Sequence, residues 1–438
     1  MRPVGKNICR ERSNDMIFYN GEIYETDRQS GLLDRLGPDI DKTLAAGLTP
    51  STEDVITACD MLAGKIKNGA FDAVVNPFLS TFDVSEDYFN KLLHMFTRAG
   101  LEQKVKIELS DEPLIINGSF KRERLPLGVL LHIAAGNFDV LPAYSMIEGL
   151  LAGNINILKL PTGDSGLSVT LLQELTNICP SLKPYIYVFD VPSTETESIK
   201  RLADLSDGIA VWGGDQAITA ARQFASVNTK IISWGHKLSF AYCEPDCSDE
   251  ELTLLAKSIC ITNQTLCSSC QGLFVDTESP EELSAFGERF FCILKEVNAT
   301  SPPADFGMRA KNAINLYNER LEAHTTSNQI LSSAGVSVII KPDSELELSY
   351  MYRNVWVKKL PLSQIPLLHR YKNYLQTASI LTSSPDKATK IAKRLAMAGV
   401  VRITSPDTMS RSVPGEAHDG TYALREYSRI VETDVSFL

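Results

Sequence analysis

Apolar runs and helical spacings alternate along the middle of the chain. Short continuous apolar runs predict five buried strands, at 127–133, 155–160, 185–189, 208–212 and 230–234. The segments between and after them have the apolar period of amphipathic helices, at 139–152, 167–179, 194–205 and 215–224. Buried strands that alternate with helices predict an α/β fold built on a Rossmann-type, doubly wound parallel sheet. Such a sheet binds nucleotides outside the carboxyl ends of its strands.

A second α/β region follows the first. Its predicted strands lie at 272–275, 336–340 and 377–381, and its predicted helices lie at 249–261 and 280–297. The pattern therefore divides the chain into an irregular and helical region at 1–110, a nucleotide-binding domain at 111–245 to which 400–438 returns, and a second α/β domain at 246–399.

The first 110 residues contain fewer sequence patterns that predict secondary structure. Residues 1–45 read as irregular, apart from a short hairpin predicted at 16–21. Ser51 and Ser85 are predicted to begin two helices, because each precedes apolar residues at helical spacing.

Composition and charge narrow the range of functions. A net charge of −11 without a block of Lys or Arg argues against nucleic acid or an anionic membrane as the main partner. No apolar stretch approaches the roughly 20 residues of a membrane span, and no apolar signal core follows residues 1–6. The nine cysteines are scattered and odd in number, which predicts reduced thiols and a cytoplasmic protein.

The segment 263–271 carries the candidate chemistry of the second α/β domain. It places Cys267 in a short polar stretch after a predicted helix. A cysteine thiolate attacks carbonyl carbon well and leaves well, so Cys267 is a candidate nucleophile. The alternative is a buried or metal-binding pair with Cys270. Zinc shared with Cys243 and Cys247 is disfavoured, because a predicted helix separates the two cysteine pairs, whereas structural zinc sites lie on short knuckles.

A set of motifs occurs in the order found in one enzyme superfamily. The motifs lie at 135–138, 151–159, 211–215, 235–241, 263–271, 374–377 and 418–420. On these motifs the chain resembles the aldehyde dehydrogenase superfamily and, within it, the acyl-CoA reductases of bacterial luminescence fatty-acid reductase complexes. The resemblance implies an aldehyde-dehydrogenase-like fold, with a Rossmann-type cofactor domain and a second α/β catalytic domain. It also implies a homo-oligomer.

The resemblance implies a role for particular residues. Cys267 matches the family nucleophile, and Cys270 is expected to be a spare thiol. Asn137 matches the asparagine whose side-chain amide stabilises an oxyanion, although asparagine also suits the start of a helix. The cofactor is expected to lie against Gly136, Lys159, Thr162, Trp212, Gly213, Gly214 and Ser233.

Two departures from the family pattern bear on the reaction. NAD-preferring members often have a glutamate shortly after the lysine that matches Lys159, whereas the first acid here is Asp164, which favours NADPH over NADH. Oxidising members have a glutamate general base where this chain has Ser233, so hydrolysis of a thioacyl-enzyme is expected to be slow. The resemblance therefore implies an NADPH-dependent acyl-CoA reductase that acts through a thioacyl-enzyme on Cys267.

Two alternatives stay open at this point. One is an aldehyde dehydrogenase that works in the oxidative direction, and the other is a non-catalytic nucleotide-binding subunit of an acyl-transfer complex. The substrate is expected to be an acyl-CoA or another acyl thioester, and the family likeness implies an acyl-activating partner subunit. His132 lies in a predicted strand and is expected to be a hydrogen-bonded core histidine, whereas His418 and Asp419 match a late motif without an assigned role.

Overall fold

The structure is a computed structural model that describes residues 17–73, 75–76, 86–109, 115–116, 118–136 and 140–437. The chain folds into two structural units. The first unit contains the described residues before 77, residues 86–235 and residues 413–437, and the second contains residues 236–412. Within the described ranges, no helix combines the length and the apolar character needed to cross a membrane.

Hydrogen-bonded strands form three sheets among the described residues. In chain order the strands are β1 Ile17–Tyr19, β2 Glu22–Tyr24, β3 Ile115–Ile116, β4 Phe120–Pro126, β5 Val129–Ile133, β6 Ile155–Lys159, β7 Ile186–Phe189, β8 Gly208–Trp212, β9 Lys230–Trp234, β10 Leu238–Cys243, β11 Cys270–Val275, β12 Gln329–Ser333, β13 Val336–Lys341, β14 Asn354–Lys359, β15 Leu375–Leu381, β16 Arg402–Thr404 and β17 Ser428–Asp434.

Helices connect most of these strands. The α-helices span Gln29–Ala45, Thr52–Lys67, Glu86–His94, Arg98–Leu109, Leu141–Leu151, Leu167–Ile178, Thr196–Asp204, Asp215–Phe224, Asp249–Thr262, Pro280–Thr300, Phe306–Thr326, Pro385–Ala398 and Ala423–Glu426. Short 3₁₀ helices span Thr26–Arg28, Pro180–Tyr185, Leu362–Tyr371, Pro406–Thr408 and Val435–Phe437.

The first unit is built on a mostly parallel sheet. Among the described residues its order is β2-β1-β7-β6-β5-β8-β9, and the strands from β7 to β9 are parallel. The chain passes from β5 through β6 to β7 on one side and then crosses to β8 and β9 on the other. This reversal creates a switch point between β5 and β8, where doubly wound sheets bind ligands. The predicted doubly wound α/β fold is therefore confirmed.

The C-terminal segment returns to the first unit through a separate antiparallel sheet. Strand β17 pairs with β4 along its whole length, and β3 pairs with the other edge of β4. The return begins at residue 413 rather than at the predicted residue 400, because β16 pairs with β15 in the second sheet.

The second unit contains the other large sheet. Its order within the described chain is β12-β13-β14-β11-β10-β15-β16, with β12 antiparallel at one edge and the other strands parallel. Strand β10 lies between β11 and β15, so the second unit begins at residue 236 rather than at the predicted residue 246. Aliphatic side chains of β11, β13 and β14 form its core with the helices Asp249–Thr262 and Pro280–Thr300.

The local predictions for the N-terminal region had mixed outcomes. The hairpin is confirmed by the antiparallel pairing of β1 with β2, and Asn20 and Gly21 adopt positive φ in its turn. The prediction of irregular structure up to residue 45 is wrong, because Gln29–Ala45 is helical. Ser51 caps the helix that follows it, as predicted, by accepting from the Asp54 amide. Ser85 lies outside the described residues.

Candidate active site

The predicted cofactor glycines lie at the switch point of the first sheet. Gly136 follows β5, and a Cβ atom there would approach Pro161 Cβ to 3.3 Å. Gly213 follows β8 with a φ of +152°, and Gly214 is the N-cap of the helix Asp215–Phe224. Backbone without side chains at a helix N-terminus favours the approach of a pyrophosphate. This edge therefore fits a dinucleotide.

Lys159 lies at the carboxyl end of β6. The residue is 4% exposed, and its Nζ donates to Ser193 Oγ at 3.3 Å. Burial lowers the pKa of Lys159, and the nearby Asp190 carboxylate opposes that shift. Asp190 directly follows β7, and sequence reasoning missed it because nothing local marks the carboxylate as a neighbour of β6. Lys159, Ser193 and Asp190 together offer a cation, a hydroxyl and a carboxylate at the sheet edge.

The turn after Lys159 carries the remaining predicted contact on this side of the sheet. Thr162 is exposed. Asp164, the first acid after Lys159, accepts a hydrogen bond from the Gly166 amide at 2.8 Å, so this oxygen of its carboxylate is used within its own turn.

Aromatic rings line the carboxyl ends of β8 and β9. Trp212 lies 5.4 Å from Trp234 and 5.2 Å from His418, between ring centroids. His418 also lies 5.1 Å from Trp234, so the late motif that had no assigned role reaches the predicted cofactor edge. Ser233 is exposed in β9, opposite Val211 of β8.

A buried polar chain supports this aromatic group. Trp212 Nε1 donates to Ser145 Oγ at 3.0 Å, and the same hydroxyl lies 2.7 Å from His132 Nδ1. His132 Nε2 lies 3.0 Å from Asn156 Oδ1. Burial lowers the pKa of His132 to about 4, so the ring is neutral at physiological pH. The expectation of a hydrogen-bonded core histidine is confirmed.

Cys267 lies in the second unit, in the turn between the helix Asp249–Thr262 and β11. Its side chain is exposed, and its sulfur is not part of a disulfide. Its carbonyl accepts from Ser239 Oγ at 2.7 Å, and Ser239 Oγ in turn accepts from the Thr377 amide at 3.0 Å. The turn therefore lies at the amino ends of β10, β11 and β15.

Cys270 differs sharply from Cys267. It is the first residue of β11, is 1% exposed and donates from Sγ to Gly272 O at 3.2 Å. Burial raises the pKa of Cys270 to about 12, which keeps it a neutral thiol. Of the two cysteines, Cys267 is the one with an accessible thiol.

Asn137 lies outside the described residues. Across the described ranges, no cluster of three or more His, Cys, Asp or Glu side chains is arranged to hold a metal ion. Sequence reasoning also missed Ser239, which bonds to the Cys267 carbonyl, and the buried Arg353, which bonds to Asn263, because these partners lie far apart along the chain.

Known proteins resemble this chain over most of its length. The family model described as acyl-CoA reductase (LuxC) matches residues 49–430. Curated relatives include long-chain acyl-protein thioester reductases from Vibrio harveyi, 24% identical over 312 residues, and from Aliivibrio fischeri, 25% identical over 323 residues. These matches cover 70% and 71% of this chain, and 64% and 65% of the respective relatives, so less than two thirds of each relative is spanned.

Solved structures identify the fold. Aldehyde dehydrogenase 21 from Physcomitrella patens aligns with 97% of this chain and 99% of its own chain, with a TM-score of 0.72 and 14% identity. The benzaldehyde dehydrogenase from Corynebacterium glutamicum covers 97% of this chain and 99% of its own, with a TM-score of 0.70 at 12% identity. The two large sheets described above are thus those of the aldehyde dehydrogenase fold.

Proposed function

Because the chain belongs to the acyl-CoA reductase (LuxC) family, we propose that it reduces an acyl thioester to an aldehyde through a thioacyl-enzyme on Cys267. The observation that carries the proposal is the contrast between two neighbouring cysteines. Cys267 is exposed within the polar turn that precedes β11, whereas Cys270 is buried in β11. Only a thiol that substrate can reach can form a thioester.

The proposed reaction has two stages at Cys267. In the first, the Cys267 thiolate bonds to the thioester carbonyl carbon, the bond from that carbon to the donor sulfur breaks, and the donor leaves as a thiolate. A nicotinamide cofactor, when bound, would supply the hydride for reduction of the resulting thioacyl group. The bond from carbon to the Cys267 sulfur then breaks, which releases the aldehyde. The Asn137 amide and the Cys267 N–H are proposed to hold the oxyanion of the first stage.

The first unit supplies residues that fit a nicotinamide dinucleotide. Gly213 and Gly214 present bare backbone at a helix N-terminus, and Lys159 places a buried cation at the end of β6. Gly136, Thr162, Trp212 and Ser233 are proposed to complete the contacts. We propose NADPH rather than NADH, because Asp164, the first acid after Lys159, is engaged within its own turn. The Asp190 carboxylate near Lys159 opposes this preference, since it would repel a 2′-phosphate.

The proposed direction is reduction. A general base that activates water would favour hydrolysis to an acid, and Ser233 is proposed to take the position where oxidising members of the superfamily carry that base. A serine hydroxyl is a poor base at neutral pH, so the thioacyl-enzyme would persist until it is reduced. The proposed donor is an acyl-CoA or an acyl-protein, since curated relatives are named acyl-protein thioester reductases. We also propose that the protein is a cytoplasmic homo-oligomer and that it works with an acyl-activating partner subunit.

A pair of cysteine variants tests the proposed function. Cys267→Ala should abolish aldehyde formation from a long-chain acyl-CoA and NADPH, while NADPH binding by fluorescence stays unchanged. Cys270→Ala is the matched control and should keep activity, because its thiol is buried. Aldehyde formation by Cys267→Ala at the rate of the unmodified protein would contradict the proposal.

A further inference from the structure

Two left-handed backbone segments meet in the second unit. Asn263 and Gln264 precede the nucleophile turn with φ of 47° and 62°, and residues 351–353 precede β14 with φ of 56°, 48° and 71°. Non-glycine residues rarely adopt this conformation, and neighbouring contacts must hold them in it. Here each segment holds the other. The Tyr352 amide donates to Asn263 O at 2.9 Å, and the Arg353 amide donates to Gln264 Oε1 at 2.9 Å.

The Arg353 side chain joins these segments to the surrounding helices. It is 1% exposed, and its planar fork of donors suits several fixed acceptors at once. Its donors reach four oxygens: Asn263 Oδ1 at 3.2 Å, Asn298 Oδ1 at 2.6 Å, Cys260 O at 3.3 Å and Pro302 O at 2.6 Å. Two of these acceptors belong to the C-terminal end of the helix Asp249–Thr262, where a cation is favourable.

Gln264 carries this restraint across the nucleophile turn. Its Nε2 donates to Cys270 O at 3.0 Å and to Ser349 Oγ at 3.1 Å. Its own carbonyl accepts from Gln271 Nε2 at 3.1 Å. Gln264, which directly precedes residues 265–269, is therefore tied to Cys270 and Gln271, which directly follow them. These bonds close the segment that presents Cys267.

We propose that Arg353 is a positioning residue, which fixes Asn263 and Gln264 and through them the turn that presents the Cys267 thiol. The expected effect of Arg353 on the acylation rate rests on the proposed thioacyl chemistry. The expected effect of Arg353 on the order of residues 265–269 does not. Arg353 acts through its neighbours rather than on the substrate. A misplacement of a reacting group by about 1 Å costs on the order of 100-fold in rate, so loss of the restraint should be measurable.

Two variants of the full chain test the proposal. Arg353→Met removes the guanidinium. Gln264→Met removes the side-chain amide that bonds to Cys270 O and Ser349 Oγ, and it provides the test if Arg353→Met fails to fold. Each should slow acylation of Cys267 by octanoyl-CoA about 10- to 100-fold in single-turnover mass measurements. Hydrogen exchange should accelerate at residues 265–269. Alkylation of Cys267 by iodoacetamide should change less than about threefold, because it requires only an exposed thiolate.

Arg289→Met is the matched control. Arg289 binds the other end of the same helix, where its donors reach Asp249 Oδ1 at 2.7 Å, Pro245 O at 3.2 Å and Cys247 O at 2.5 Å. This variant should acylate within about twofold of the unmodified protein, because it leaves the nucleophile turn held. Equal slowing by Arg289→Met would overturn the proposal, as would acylation at the full rate in both test variants.

The experiment also separates this inference from the proposed function. If the unmodified protein accepts no acyl group from octanoyl-CoA, the thioacyl chemistry fails for that donor, and hydrogen exchange decides the structural inference. Faster exchange confined to 265–269 in Arg353→Met or Gln264→Met would support positioning. Unchanged exchange in these variants would overturn it.

Discussion

At the scale of single residues, Cys267 and Cys270 have opposite environments although they are three residues apart. Cys267 is exposed, whereas Cys270 is buried with a pKa raised to about 12 by that burial. Iodoacetamide at about pH 8 should therefore label Cys267 at least ten times faster than Cys270, because thiolates are the reactive form. Peptide mass mapping over time measures both rates. The exposed Cys292 is the reference for an accessible thiol, and labelling of Cys270 as fast as Cys292 would contradict the burial argument.

A second prediction at the scale of residues concerns Asp190 and the choice between NADPH and NADH. Its carboxylate lies near Lys159, where it would repel the 2′-phosphate of NADPH and favour the free hydroxyl of NADH. Asp190→Asn should therefore shift the ratio of NADPH to NADH affinity toward NADPH by about tenfold, equivalent to about 1.4 kcal/mol. Fluorescence titration with both cofactors measures the ratio. An unchanged ratio would show that Asp190 does not face the ribose.

At the scale of elements, a glycine near the start of β11 fixes how two strands pack. A Cβ atom on Gly272 of β11 would lie 1.9 Å from Trp356 Cδ2 of β14. Gly272→Ala should therefore lower the free energy of unfolding by about 2–3 kcal/mol through overpacking. Gly64→Ala is the control in an open helix position and should raise it by about 0.5–1 kcal/mol. Urea denaturation measures both values, and equal effects would contradict the packing argument.

The elements that the sequence predicted share one property. Strands such as β6 and β8 are mostly apolar runs, and the helix after Ser51 begins at a clear N-cap. The local sequence pattern was therefore sufficient to predict these elements. Strand β4 reads Phe-Lys-Arg-Glu-Arg-Leu-Pro and was missed, because its pairing with β17 comes from the far end of the chain. The same limit hid Arg353. Its side chain bonds to oxygens that lie between 51 and 93 residues earlier in the sequence, which no local pattern reveals.

At the scale of the whole molecule, stability depends on a neutral histidine in the first unit. The pKa of His132 is about 4 in the folded chain, below the value near 6.5 expected when unfolded. Its contribution is therefore complete above about pH 6.5 and is lost as the pH falls toward 4, by about 3 kcal/mol in total. His132→Gln cannot titrate, so its stability should fall less on acidification. Urea denaturation at about pH 7 and 4.5 compares the two, and parallel losses would contradict the assignment.

The central claim is that an acyl group transfers to Cys267. The most direct measurement is the intact mass of the protein after mixing with a medium-chain acyl-CoA without cofactor, followed by peptide mapping. We expect one acyl group on Cys267, released as aldehyde when NADPH is added. An acyl group on another residue, or the absence of any adduct with both acyl-CoA and acyl-protein donors, would contradict it.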